Sequence, residues 1–142
     1  MTEKEKKAEI VRYWWNQAQE SLAAARRELA ADSYNFAMNR VYCTLFYAVS
    51  TLLLEEGHRF KKHSGVRAAF NREIIKTGRM EQKYGDLYNE IFDDRQAGDY
   101  VAFTKFDASY VQEKIAACEK FLANLRPLIK SLPPDKEGKE PS

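Results

Sequence analysis

The segment from Asp32 to Gly57 limits the fold more than any other part of the chain. Its core, Val41 to Leu54, is apolar over 14 residues and is broken only by Tyr42, Thr44, Tyr47, Ser50 and Thr51. Read at helical spacing it has no polar face, and a helix that is apolar nearly all round must be enclosed by other elements. A run this short, with polar residues inside it, falls below the roughly 20 residues that cross a bilayer. The expectation is therefore the central helix of a packed bundle. Asp32 and Ser33 offer N-cap chemistry at its start, and Gly57 suits the left-handed position past its end.

The flanking segments supply the enclosure. Thr2-Glu-Lys-Glu5 has the pattern of a helix N-terminus, and Val11, Trp15, Ala18, Leu22, Ala25 and Leu29 then recur at steps of four and three. Trp14 lies beside that seam. Ser64 is positioned to cap a third helix to about Lys76, with Gly78 as its stop. A fourth helix spans about Glu81 to Gln96, where Tyr84, Tyr88, Ile91 and Arg95 form a seam closed by an arginine. Asp107 is positioned to cap the last long helix, in which Val111, Ile115, Cys118, Leu122, Leu125 and Ile129 repeat the four-three step. No segment alternates with a period of two, and no repeat or linker interrupts the chain. The sequence predicts an all-α, up-and-down bundle of four to five helices: one domain over residues 1–131, with a disordered charged tail over 132–142.

Composition then excludes several functions. The net charge of +2 is too small for a protein that coats nucleic acid indiscriminately. That total hides an asymmetry. Residues 57–83 hold eight basic and two acidic side chains, and residues 84–113 hold two basic and seven acidic ones. Such a distribution fits either an anion-binding surface or a basic face that meets its acidic neighbour within the molecule or across a dimer. The N-terminus has no apolar stretch for export, so a cytoplasmic, non-membrane protein is expected. Cys43 and Cys118 sit in apolar helical contexts as small hydrophobes rather than as a disulfide. His58 and His63 have no third ligand nearby, and no phosphate-binding glycine loop is present, so no metal or cofactor is expected.

Three groups of residues are candidates for a site. On the central helix, Arg40, Thr44, Tyr47 and Thr51 share one stripe, which reads as either a polar cleft or a set of locally satisfied groups. At the end of the fourth helix, Arg95 offers a planar fork of donors for phosphate, with Asp99 to orient it and Tyr100 beside it. Before the third helix, Lys62 and His63 precede Ser64-Gly65, where backbone amides and a lysine suit an anion.

Three stretches together, Tyr34-Asn-Phe-Ala-Met-Asn-Arg40-Val-Tyr42-Cys-Thr-Leu-Phe46-Tyr47-Ala48, Lys62-His63-Ser64-Gly65-Val66 and Arg95-Gln-Ala-Gly-Asp99-Tyr100, resemble the HEPN domain family over roughly Glu9 to Leu128. The resemblance implies a helical bundle that pairs as a homodimer. It also implies frequent association with a minimal nucleotidyltransferase in a toxin–antitoxin-like module, and for many members metal-independent ribonuclease activity through an Arg followed, after four to six residues, by a His. Arg95 stands at that arginine, but Tyr100 occupies the earliest position for the histidine, and neither His58 nor His63 follows an arginine at the required spacing. A phenol with a pKa near 10 is a poor base at neutral pH. The expected function is a non-catalytic HEPN module binding a nucleotidyltransferase, a nucleotide or RNA phosphate through Arg95, Asp99, Tyr100, Arg40, Tyr47, Lys62 and His63. The alternatives are a divergent ribonuclease, in which Asp99, Tyr100 or His63 assists Arg95, and a purely structural dimer. A related alternative makes Tyr100 the acceptor of a nucleotidyl group from the partner.

Overall fold

The computed structural model describes residues 1–60, 62–100 and 105–133, with residues 96–100 described by their backbone alone. The part of the expected tail from residue 134 onward lies outside the described residues. Those described form an all-α bundle: α1 (Glu3–Ala30), α2 (Tyr34–Glu55), the short α3 (His63–Phe70), α4 (Gln82–Tyr100) and α5 (Ala108–Leu125). No strand occurs among them.

Each long helix starts or packs as its sequence dictates. Thr2 and Glu5 form the reciprocal cap of α1: Glu5 N–H donates to the Thr2 hydroxyl at 3.1 Å, and Thr2 N–H donates to the Glu5 carboxylate at 2.8 Å. The seam residues Val11, Trp15, Ala18, Leu22 and Ala25 are buried, mainly against α2. Asp107 caps α5 by accepting from Tyr110 N–H at 2.8 Å, and the α5 seam from Val111 to Leu125 continues into buried Ile129. In the middle α2 touches α1, α3, α4 and α5. By length and composition alone α2 could cross a membrane, yet most of its apolar surface is buried inside the bundle. Cys43 and Cys118 are not joined in a disulfide, and Cys118 is fully buried.

Three details differ from expectation at the helix ends. Asp32 does not cap α2. It terminates α1, in the left-handed region at φ +61°, while Asp32 N–H and Ser33 N–H donate to the carbonyls of Leu29 (3.0 Å) and Glu28 (2.8 Å). With only three residues between the helices, closing α1 takes priority, and Ser33 makes no side-chain cap to α2. Gly57 does close α2 in the expected way, at φ +93°. Lys62 rather than Ser64 occupies the N-cap of α3, without a side-chain bond, so His63 becomes the first helical residue.

The helix expected to run to about Lys76 continues past Phe70 but widens into a π turn over Asn71–Ile75, with Lys76 N–H donating to the Asn71 carbonyl at 2.9 Å. The Asn71 amide bonds back to the Arg67 carbonyl at 2.9 Å and across to Asn89 of α4 at 3.2 Å. Gly85 permits this close approach, because a Cβ there would lie 3.0 Å from both Asn71 Oδ1 and Ile75 Cγ1. The widened turn thereby seats α4 against α3.

Candidate functional site

Three helices meet at Tyr42. On α2, Tyr42 and Phe46 are one turn apart and share a face, with Tyr42 only 1% exposed. On α4, Tyr88 and Phe92 set their rings edge-on to Tyr42, at centroid distances of 6.5 and 5.9 Å. One turn further along α4, the Arg95 guanidinium sits 4.9 Å from the centre of the Tyr42 ring, within the range of a cation–π contact. From the first turn of α3, His63 stacks on Phe46 at 4.1 Å and places Nδ1 2.9 Å from the Tyr42 hydroxyl. Arg95 and His63, which the sequence offered as parts of two separate candidate sites, thus converge on one phenol.

The electrostatics follow from that convergence. Burial pushes the Tyr42 hydroxyl up to about 12, against the opposing pull of Arg95, so it stays protonated at neutral pH. Partial burial against the rings, and then the nearby Arg95 charge, hold His63 below the ordinary histidine range. The imidazole is therefore uncharged at neutral pH, while its outer edge remains open to solvent. With Nδ1 engaged by Tyr42, Nε2 is the nitrogen that can meet a ligand. In the tautomer where Nδ1–H donates to the Tyr42 oxygen, Nε2 is a proton acceptor. A fixed cation, a neutral imidazole and a phenol that orients the imidazole are the parts needed to bind an oxyanion and to take a proton beside it.

The other candidates are placed differently. Thr44 and Thr51 are fully buried and donate to the carbonyls of Arg40 (2.9 Å) and Tyr47 (2.7 Å), so both threonine hydroxyls of the stripe are satisfied within α2. Arg40 stands exposed, and Tyr47 faces α1, where it stacks on Trp14 at 5.2 Å. Lys62 is exposed at the start of α3, next to His63. Asp99 and Tyr100 continue the α4 backbone beyond Arg95, and their side chains lie outside the described residues. Tyr42 and Phe46, which sequence reasoning left among the core, carry the site. The available signal was their spacing of four, on a helix whose neighbour ends its seam in an arginine.

Much of the charge asymmetry is answered inside the chain. Arg67 lies 4.2 Å over the Phe92 ring and 3.7 Å from Asp93, Arg72 bonds Glu73 at 2.9 Å, and Arg79 grips Glu56 at 3.0 and 2.5 Å. On the acidic side, Tyr110 donates to Asp94 and to Glu90, and Lys114 pairs with Glu90 at 2.8 Å. Burial raises the Asp94 carboxyl, partly offset by the Tyr110 hydroxyl. The carboxylate next to Arg95 in sequence is thus occupied by α5.

Comparison with known proteins agrees with this architecture. The HEPN domain pattern matches residues 11–128. A protein of Thermotoga maritima named "UPF0332 protein" is 44% identical over 132 residues, covering 93% of this chain and 98% of the relative. Two proteins of Methanocaldococcus jannaschii are also similar. "Putative toxin MJ0142" is 36% identical over 68% of each chain, and "Putative toxin MJ0605" is 27% identical over 81% of this chain and 85% of its own. On the extent of that match, and on the bundle that carries it, the chain belongs to the HEPN domain family.

Proposed function

We propose that this chain is the toxin-like member of a toxin–antitoxin-like module and acts on RNA as a divergent, side-chain-driven ribonuclease. The observation that carries this reading is the 2.9 Å contact between Tyr42 and His63 Nδ1, with Arg95 over the same phenol. The imidazole missing after Arg95 in the sequence is supplied from α3. The toxin names of the Methanocaldococcus relatives support the setting. A homodimer and a minimal nucleotidyltransferase partner belong to the same proposal.

The chemistry is a transesterification. Arg95 takes the two non-bridging phosphate oxygens and offsets the charge that builds on them. His63 Nε2 accepts the proton of the adjacent 2′-hydroxyl as its oxygen attacks phosphorus, and Tyr42 holds the ring at the angle this needs. The P–O5′ bond breaks, O5′ takes a proton from water, and the products are a 2′,3′-cyclic phosphate and a free 5′-hydroxyl. The tyrosine at position 100, where the family places its histidine, favours a second reading: a module that grips RNA phosphate without cutting it.

One experiment separates the two. Metal-free protein is incubated with single-stranded RNA beside Arg95→Ala and His63→Ala, each checked for unchanged helicity. Cleavage to cyclic-phosphate ends that disappears in both variants is the expected result. RNA that is retained but intact would establish the binding module, and cleavage that is unchanged in both variants would assign the activity to a contaminant.

A further inference from the structure

A cavity of about 260 Å³ opens between α1, α2 and the loop that leads into α3, next to the Tyr42–His63–Arg95 cluster. Its walls are flat and mostly apolar: Trp14 from α1, Phe46 and Leu53 from α2, and Phe60 from the loop, with His58 and Arg59 at the loop side. The rings that form it are held in place. Trp14 is stacked on Tyr47, and Phe60 packs on Gly65, where a Cβ would come within 3.2 Å of the ring.

Ser50, on α2, also lines the cavity, and its hydroxyl is buried without a hydrogen-bond partner among the described residues. The contrast with Thr44 and Thr51 on the same helix is informative, since both of those donate to a backbone carbonyl one turn back. A buried hydroxyl is normally satisfied, so one without a partner in the wall of an apolar cavity is available to a ligand's polar edge once its side chain turns toward the cavity.

Phe46 joins this cavity to the site. It is one wall of the cavity, and it is also the ring on which His63 stacks at 4.1 Å. We infer that the cavity is a nucleobase subsite, taking the base of a single-stranded RNA nucleotide whose 3′-phosphate lies toward His63 and Arg95. This inference rests on the RNA reading of the neighbouring site. A base presents two faces to stack between rings and a polar edge for Ser50, and the 5′-phosphate of its nucleotide meets Arg59. An aliphatic side chain from a protein partner would fill the same walls but would leave the Ser50 hydroxyl unpaired and Arg59 without a counter-charge. The volume lies just under the usual range for small-molecule pockets, about 300–1,000 Å³, which suits one base.

The test is binding of adenosine, cytidine, guanosine and uridine to the full chain, read by quenching of tryptophan fluorescence and by calorimetry. At least one nucleoside is expected to bind saturably and quench Trp14, with affinity lowered tenfold or more in Ser50→Leu, which fills the cavity, and in Phe60→Ala, which removes a wall at the surface. Phe60→Ala keeps the test valid if Ser50→Leu fails to fold. Arg59→Ala should leave nucleoside binding unchanged but weaken the matching 5′-monophosphate several-fold. In the RNA assay, Phe60→Ala should raise KM severalfold at nearly constant kcat. Saturable binding with these losses, in a protein that cleaves no RNA, would uphold the subsite and sink the ribonuclease reading. Cleavage with no nucleoside binding, or with Phe60→Ala and Ser50→Leu both binding like the parent, would overturn the subsite and leave the ribonuclease standing. Competition by hydrophobic peptide but not by any nucleoside would assign the cavity to a protein partner and overturn it too.

Discussion

The seams of α1 and α5 and the ring cluster between α2, α3 and α4 are both interior regions, but they are built on different principles. The seams use Val, Ala, Leu, Ile, one Trp and one Cys at steps of four and three, and almost every seam residue is buried. The ring cluster uses Tyr42, Phe46, Phe92, His63 and Arg95, each placed by contacts of defined geometry, and it keeps one edge open to solvent. The seams hold the bundle together by area removed from water. The cluster spends part of that area to hold a cation and a neutral imidazole side by side.

The largest effect expected from this contrast is on stability. Leu125→Ala, at a fully buried seam position, should cost about 2–5 kcal/mol in urea unfolding while leaving RNA cleavage per folded molecule as it was. Loss of cleavage in a protein that is still folded would break the separation between the two regions. Tyr42→Phe is the converse case. The ring and its stacking remain, the bond to His63 is lost, and stability should fall by about 1 kcal/mol. Cleavage should fall further, by at least about tenfold, because His63 is no longer oriented. Equal proportional losses in both measurements would mean that the hydroxyl is only structural.

The two regions were also unequally legible in the sequence. A seam is periodic, so Val111, Ile115, Cys118, Leu122 and Leu125 could be assigned to one face from spacing alone, and the structure buries all of them. The cap at Asp107 was readable for the same reason, being local. Asp32 was misjudged because two helix ends compete for one short connection, and which end wins is set by backbone closure rather than residue preference. The site was half legible. Arg95 and His63 each stood out by chemistry, but their meeting depends on the placement of α3 against α2 and α4, which no spacing records. The widened turn at Asn71–Ile75 and the absence of a side chain at Gly85 contribute to that placement.

A pH series sharpens the comparison, because only the cluster contains a group whose charge changes near neutrality. His63 binds its proton less readily in the folded chain than in the unfolded one. As pH falls through the ordinary histidine value of about 6.5, the unfolded state takes up a proton first and stability declines. The decline ends once pH has passed the lowered folded value. Urea midpoints followed from about pH 8 to about pH 5 should show this loss, and His63→Gln should remove its share of it. Arg95→Gln should move the His63 titration, followed by NMR, back upward. Cleavage in the parent should rise over the same interval and level off above it, since the neutral imidazole is the base.

The smallest effects should come from surface ion pairs, and for them the comparison should vanish. Arg26 on α1 pairs with Glu119 on α5 beside the seams, with both side chains about half exposed. Arg79 grips Glu56 with two bonds at the C-terminal end of α2, at 36% and 27% exposure. Water solvates these charges whether or not they pair, and holding two long side chains in one geometry costs entropy. Arg26→Ala and Arg79→Ala are each expected to lower stability by no more than about 1 kcal/mol, with the bidentate pair nearer the upper end. The loss in each should shrink further in high salt. A salt-independent loss at Arg79 would show that its stem packs on α2, and the charge asymmetry between the two halves of the chain would then contribute to the fold through contact rather than through charge.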